Sequence, residues 1–262
     1  MIKPQDEFES SYLEGRNSVF EALSSGRDIN KMWILEAAEG QRLDRDLAAI
    51  LREAKERRIV VSRVSRNVLN KMSTTGNHQG VIAQVASHDY VDIDDVVDAA
   101  FEKSNAPILL ALDELKDSFN LASLLRISDA AGVDGIIIPK HRSIALNSIV
   151  SKLSAGAIEY VPVARVTNLS QTLRDLKDKR GFWVCGTDME GSVDYDKADY
   201  SGPLVIVVGS EGDGMRKNIR QCCDFTVNIP MTGHVNSLNA AVATGIIVFE
   251  AVRYRRDKTK AD

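Results

Sequence analysis

From residue 108 onward the chain repeats one pattern: a short apolar run of strand length, then a segment of helical spacing. The runs are I-L-L-A-L (108–112), G-I-I-I-P (135–139), Y-V-P-V (160–163), F-W-V-C-G-T (182–187), L-V-I-V-V-G-S (204–210) and F-T-V-N-I-P (225–230). Between them, 120–131 puts Leu121, Leu124, Leu125 and Ser128 on one helical face, and 168–179 does the same with Leu169, Leu173 and Leu176. Helices are also predicted at 144–154 and 214–222, with a long closing helix at 236–255. Strands that are apolar throughout are buried on both faces. Their alternation with helices predicts an α/β domain built on a parallel sheet, covered on both sides.

The first part of the chain reads as a separate, smaller α/β unit. Helices are predicted at 17–25, 42–57 and 65–71, and strands at 30–35, 58–64 and 80–85. On 42–57 the stripe is Leu43, Leu47, Ile50, Leu51 and Ala54, spaced for one helical face. Six acidic residues fall between 89 and 102 with no basic one, and Asn105-Ala106-Pro107 follows. The expected organisation is a small domain over 1–88, an acidic linker with a short helix over 89–104 and the larger domain over 105–262.

Composition excludes several classes. No apolar run reaches the ~18 residues of a membrane span, and the acidic, polar start lacks the basic and apolar regions of a secretory signal. Three cysteines, two of them adjacent, suit neither a disulfide framework nor a zinc site. A reducing cytoplasm and no bound metal are the expectations. The net charge of −4 argues against a protein that coats nucleic acid, whose affinity draws on basic surface. A local basic cluster nonetheless lies at 51–71: Arg52, Lys55, Arg57, Arg58, Arg63, Arg66 and Lys71. Taken alone, that cluster reads equally as a solvated face.

Parallel α/β sheets bind ligands beyond the carboxyl ends of their strands, and three segments fall there. The first runs from Asp113 to Arg126 and contains N-L-A-S-L-L-R. Asn120 suits a helix N-cap, and Arg126, 600° further round, need not share its face. A capped helix with a surface arginine is the plain alternative. The second is G-S-E-G-D-G-M (209–215), either a tight strand-to-helix turn or a binding loop. It is neither the dinucleotide fingerprint nor a P-loop. The third is I-P-M-T-G-H-V-N-S-L-N-A-A-V-A-T-G-I (229–246), where a helix is expected to open near Ser237. Asn236, Ser237 and Asn239 are either capping groups or a polar site.

Together, in this order and spacing, the three segments resemble the motifs of the SpoU/TrmH RNA 2′-O-methyltransferases. One departure is Ala122, where many members have glycine. E-G-R-N-S-V-F-E-A-L (14–23) and H-Q-G-V (78–81) are similar to the substrate-binding domain of the RlmB-like subgroup.

The resemblance implies a SPOUT-type α/β-knot, in which a trefoil knot forms the S-adenosylmethionine site. Gly209, Ile229 and Leu238 would line that site, with Gly186 and Met231 nearby. Arg126, Asn120, Glu211, Ser237 and Asn239 would be the catalytic set. Within it, Arg126 acts as base or phosphate anchor, and Glu211 orients Arg126 or the neighbouring subunit's loop. Asn120 would hydrogen-bond near the 2′-hydroxyl, while Ser237 and Asn239 contact the ribose or position Arg126. Arg16, Asn17 and His78 would touch RNA, although a lone loop histidine is the plain reading of His78. A homodimer is implied. The expected activity is methylation of a 23S rRNA guanosine, with tRNA as the alternative substrate. A non-catalytic RNA-binding or ribosome-assembly factor is the reading from another class.

Overall fold

A computed structural model describes residues 12–37, 43–188, 193–210, 212 and 214–259. Its strands are β1 (Tyr12–Glu14), β2 (Ile29–Leu35), β3 (Val61–Val64), β4 (Val81–Val85), β5 (Ile108–Leu112), β6 (Gly135–Pro139), β7 (Val163–Val166), β8 (Trp183–Thr187), β9 (Val193–Asp194), β10 (Leu204–Val208) and β11 (Phe225–Asn228). Its helices are α1 (Arg16–Ser24), α2 (Arg45–Glu56), α3 (Arg66–Met72), α4 (Ile93–Lys103), α5 (Ser118–Ala131), α6 (Ser148–Leu153), α7 (Leu169–Arg180), α8 (Lys217–Arg220) and α9 (Ala240–Thr259).

The chain forms two compact units. One runs up to Asp89 and takes in Ala145–Ser151; the other holds Tyr90–Ile144 and the chain from Lys152. In the first, four strands order as β1-β4-β2-β3. β4 runs antiparallel to both neighbours, and β2 and β3 are parallel. One face of this sheet packs on the stripe Leu47, Ile50, Leu51 and Ala54 of α2 and on Val19, Ala22 and Leu23 of α1. That is the stripe the helical spacing predicts.

The second unit carries the expected parallel sheet, with strands ordered β7-β6-β5-β10-β8-β11-β9 and every adjacent pair parallel. β5, β6 and β10 are buried at every position, which is why their sequences do not alternate. β10 forms late in sequence yet inserts between β5 and β8. α9 then returns to pack along α5. The last stretch of chain is thereby drawn back beside the first motif.

Four local expectations differ from the structure. The short helix expected in 89–104 is there, but it packs into the second unit: Asp92 caps α4 by accepting from Asp94 N at 2.9 Å, and Val96, Val97 and Ala100 are buried in that unit's core. The strand expected at 160–163 begins at Val163. Pro162 has no N–H to donate to a ladder, so its carbonyl alone joins, accepting from Ile136 N at 2.9 Å. The helix expected at 214–222 shrinks to α8, because the backbone before it is committed elsewhere (below). The closing helix starts at Ala240 rather than near 236.

Candidate active site

The carboxyl ends of β10, β8 and β11 lie side by side, from the centre of the sheet towards its β9 edge. The loops leaving them, with the first turns of α9, enclose a cavity of about 790 Å³. This is within the ~300–1,000 Å³ that small-molecule and cofactor sites occupy. Gly209, Ile229, Met231, Ser237, Leu238 and Asn239 all line it. Gly186 does not. A Cβ there would lie 2.6 Å from Met215 Cε and 2.9 Å from Cys223 Sγ. Its missing side chain makes room for Met215, which does line the cavity. Gly186 therefore lies beside the cavity, behind Met215.

Gly209 is required for a closer approach still. A Cβ at this position would sit 2.4 Å from the carbonyl carbon of Gly214. Backbone meets backbone there, held by reciprocal hydrogen bonds of 3.0 Å between Ser210 and Gly214. The exit from this loop is pinned to the end of β5. Arg216 donates from its backbone N to Asp113 Oδ2 (2.8 Å) and from Nε to Asp113 Oδ1 (2.7 Å), and its guanidinium also lies 3.1 Å from Glu114 Oε1. Asp113 is fully buried. The hydrogen bond to this carboxylate pushes the Arg216 pKa above its ordinary value. These bonds hold 214–216 out of the helix predicted there. Nothing in the sequence singles out Arg216 as the partner of Asp113, since 103 positions separate them.

Asn120 is not the N-cap of α5. Asp117 is, accepting from Phe119 N and Asn120 N at 3.3 Å each. Asn120 instead sits in the first turn, 3% exposed, where its Oδ1 accepts from Asn239 Nδ2 at 2.8 Å. Asn239 is the residue that caps α9: its Oδ1 accepts from Ala241 N (3.0 Å) and Val242 N (3.2 Å). One amide thus caps a helix and bridges to the first motif. Ser237, expected in the first helical turn, lies outside the helix in the exposed loop of the cavity wall.

Arg126 is exposed, does not line the cavity, and pairs with no other described residue. It lies seven residues, two helical turns, from Phe119, itself 64% exposed. The two share the outer face of α5, while Asn120 points inward. Glu211 lies outside the described residues. The sequence reading missed Thr187, Asp188 and Arg220, all of which line the cavity. Asp188 and Arg220 form an ion pair.

In the first unit, Arg16 opens α1. It reaches Asp44 at 2.6 Å and Asp46 at 3.2 Å and donates from Nε to Gln79 O at 3.1 Å. Asn17 is exposed. His78, expected as an RNA contact, is only 4% exposed. Gly80 N donates to its Nδ1 at 3.0 Å, and its Nε2 lies 2.8 Å from Asn70 Oδ1. That pattern assigns the proton to Nε2 and gives His78 the work of holding the turn before β4. Of the basic cluster, Arg57 is committed to the carbonyls of Leu23, Gly26 and Arg27. Arg52, Lys55, Arg58, Arg63, Arg66 and Lys71 are exposed.

A parallel α/β domain with a glycine-walled cavity at its strand ends, linked to a small mixed-sheet domain, defines a two-domain protein with a cofactor-type site. The chain belongs to the SpoU rRNA methylase family, whose sequence model matches residues 107–249. A second family model, RNA 2′-O ribose methyltransferase substrate binding, matches residues 12–91. YacO of Bacillus subtilis (strain 168), described as a TrmH-family tRNA/rRNA methyltransferase, is 45% identical over 93% of this chain and 96% of its own length. The structure of an AdoMet-bound rRNA methyltransferase from Sinorhizobium meliloti is similar, with a TM-score of 0.57 and 26% identity, covering 96% of this chain and 91% of that one. The TrmH/SpoU tRNA-modifying enzyme of A. aeolicus gives a TM-score of 0.53 at 30% identity, covering 63% of this chain and 86% of its own. The protein is thus an RNA methyltransferase of the α/β-knot class. Among the described residues, no group of three His, Cys, Asp or Glu is placed to hold a metal ion, and no helix is long and apolar enough to cross a membrane.

Proposed function

We propose that this protein uses S-adenosylmethionine to methylate a ribose 2′-hydroxyl of RNA, on a guanosine of 23S rRNA, in the cytoplasm. The observation that carries this reading is the Asn239–Asn120 hydrogen bond, which joins the wall of the cavity to the first motif. The cofactor fits the residues present: the cavity has the right volume, and Gly209 keeps its backbone wall free of side chain. Ile229, Leu238 and Met231 would flank the adenosine, as apolar walls do in such sites. Bound there, the cofactor supplies a methyl group already activated by its sulfonium.

What the chain must add is alignment of the ribose hydroxyl, the entropic part of catalysis, and relief of its proton. Asn120 and Asn239 are fixed by each other and present amides beside the cavity. Ser237 contacts the ribose from the loop. A guanidinium is a poor base, so Arg126 serves best as a bidentate anchor for a substrate phosphate, which then takes the proton. Glu211 orients Arg126. Phe119 on α5 and Val242 and Phe249 on α9 are 64%, 52% and 49% exposed. These two packed helices are the face we assign to a homodimer. A second copy there lies beside Arg126 and completes its surroundings. Arg16, Asn17 and the exposed basic residues of 51–71 contact the RNA backbone, and His78 supports them from the interior.

The test is transfer of labelled methyl from S-adenosylmethionine to rRNA from cells that lack this protein, with tRNA in parallel and ribose-methyl mapping of the product. Label on a 23S guanosine 2′-oxygen is expected. Label on tRNA alone overturns the substrate, label on a base overturns the position, and none on either RNA overturns the activity.

A further inference from the structure

We propose that the joined loops leaving β5 and β6 form a phosphate clamp, in which Arg142 and Lys116 grip the RNA backbone beside the nucleotide whose ribose Asn120 receives. The inference rests on the RNA substrate assigned above and says which surface of the second unit holds it. Two residues that are not glycine carry left-handed backbone here: Glu114 at φ 58° and Arg142 at φ 59°. Such conformations are costly for a residue with a side chain and collect at binding and catalytic sites, where the surroundings hold them in place. Those surroundings are plain. Ile144 N donates to Leu115 O at 2.7 Å, and Ser143 Oγ donates to the same carbonyl at 3.2 Å. The two loops are thereby stitched into one rim at the carboxyl ends of adjacent parallel strands.

The charge that this rim presents is one-sided. Lys116 and Arg142 are exposed, the Arg142 side chain by 76%. The three carboxylates of the same loops are placed otherwise. Asp113 is buried against Arg216, and Asp117 caps α5. Glu114 is 17% exposed and lies between two guanidiniums, 3.1 Å from Arg216 and 3.7 Å from Arg142. Glu114 thus steers Arg142 without covering it, and the planar fork of donors stays open to a phosphate. Exposed cations on a rigid rim suit the repeated anions of a nucleic-acid backbone, whose contacts fix register and orientation and not sequence. The location matches that role. α5 opens at Ser118, directly after the first loop, and its first turn holds Asn120. Through Glu114 and Arg216 the rim is also tied to the loop that walls the cavity.

Filter binding of the full chain to unmodified 23S rRNA or tRNA, whichever it methylates, over a series of KCl concentrations tests this. Each phosphate contact adds about 0.7–0.9 to the slope of log affinity against log salt. Arg142→Ala and Lys116→Ala should each weaken binding by roughly tenfold and flatten that slope by about one contact. Arg142→Lys keeps the charge and should keep the slope. Lys179→Ala, at an exposed lysine of α7, controls for general surface charge and should change neither quantity. Melting temperature and affinity for S-adenosylhomocysteine should match the unmodified protein in every variant, since none of these positions lines the cavity. Unchanged slopes in both alanine variants overturn the inference and leave the methyl-transfer activity standing. A Lys179→Ala slope that flattens equally also overturns it, because any surface cation then serves. If the unmodified protein binds neither RNA, the RNA reading fails and this inference falls with it.

Discussion

Asn239 Nδ2 donates a 2.8 Å hydrogen bond to Asn120 Oδ1 across 119 positions of sequence, while Asn239 Oδ1 caps α9. The two ends of one amide can be separated by substitution. Asn239→Asp keeps the capping oxygen but replaces the donor facing Asn120 with a second acceptor. Helix capping then survives, and the bridge does not. Thermal denaturation should show a loss of about 1–2 kcal/mol, with methyl transfer falling further than stability explains. Asn239→Ala removes both functions and adds about 1 kcal/mol for the cap. Equal stability of the two variants would sink the division of roles.

Gly209→Ala puts a Cβ 2.4 Å from backbone that has no side chain to move aside. The expected cost is about 1–3 kcal/mol of overpacking, together with loss of measurable cofactor binding by titration. Gly233 lines the same cavity, and a Cβ there meets nothing within 4 Å. Gly233→Ala should therefore leave the melting temperature unchanged, and a Gly209→Ala protein that matches it in both assays would refute the close-approach account.

Arg126→Ala should leave folding and cofactor affinity intact, since the side chain is exposed and outside the cavity. Methyl transfer should drop by roughly 100-fold or more, the scale on which loss of a positioned catalytic group is felt. Arg126→Lys should recover little, because lysine cannot hold a phosphate bidentately. Full activity in the alanine variant removes Arg126 from the mechanism.

Glu14 is partly desolvated, which alone would raise its pKa. Hydrogen bonds from Ser73, Thr75 and Thr74 outweigh that and lower it from 4.5 to about 2. A folded pKa below the unfolded one stabilises the native state above pH 4.5, and the contribution fades as pH falls from there towards 2. Glu14→Gln should thus destabilise the first unit at neutral pH, with the difference from the unmodified protein vanishing at the acid end. Hydrogen exchange at the Thr74 amide, followed against pH, reports it directly. A pH-independent difference would mean that the carboxylate charge is not what holds the 73–75 turn.

Much of the fold was legible because it depends on local pattern. Apolar runs of five marked β5, β6 and β10, and the stripes at three and four residues marked α2, α5 and α7. The misplacements share one cause. Arg216 left the predicted helix for Asp113, Ser237 stayed out of α9 because Asn239 took the cap, and the short helix at 93–103 joined the second unit's core. In each, a distant partner outcompeted a local preference, and no window of sequence contains that partner. Among site residues, glycines and amides could be named from their loops. Asp188 and Arg220 could not, because an acidic residue after a strand and a basic one ending a short helix are ordinary until the sheet order brings them together.

The sequence by itself determined the two-unit α/β organisation, the parallel sheet and the three loops at its strand ends, since periodicity and turn chemistry act over a few residues. Only the tertiary structure decided what those loops do. Insertion of β10 between β5 and β8 and the return of α9 onto α5 close the cavity, join Asn239 to Asn120 and leave Arg126 outside. Each of these outcomes depends on contacts between segments tens to more than a hundred residues apart, where burial and hydrogen-bond satisfaction, and not local propensity, set the lowest free energy.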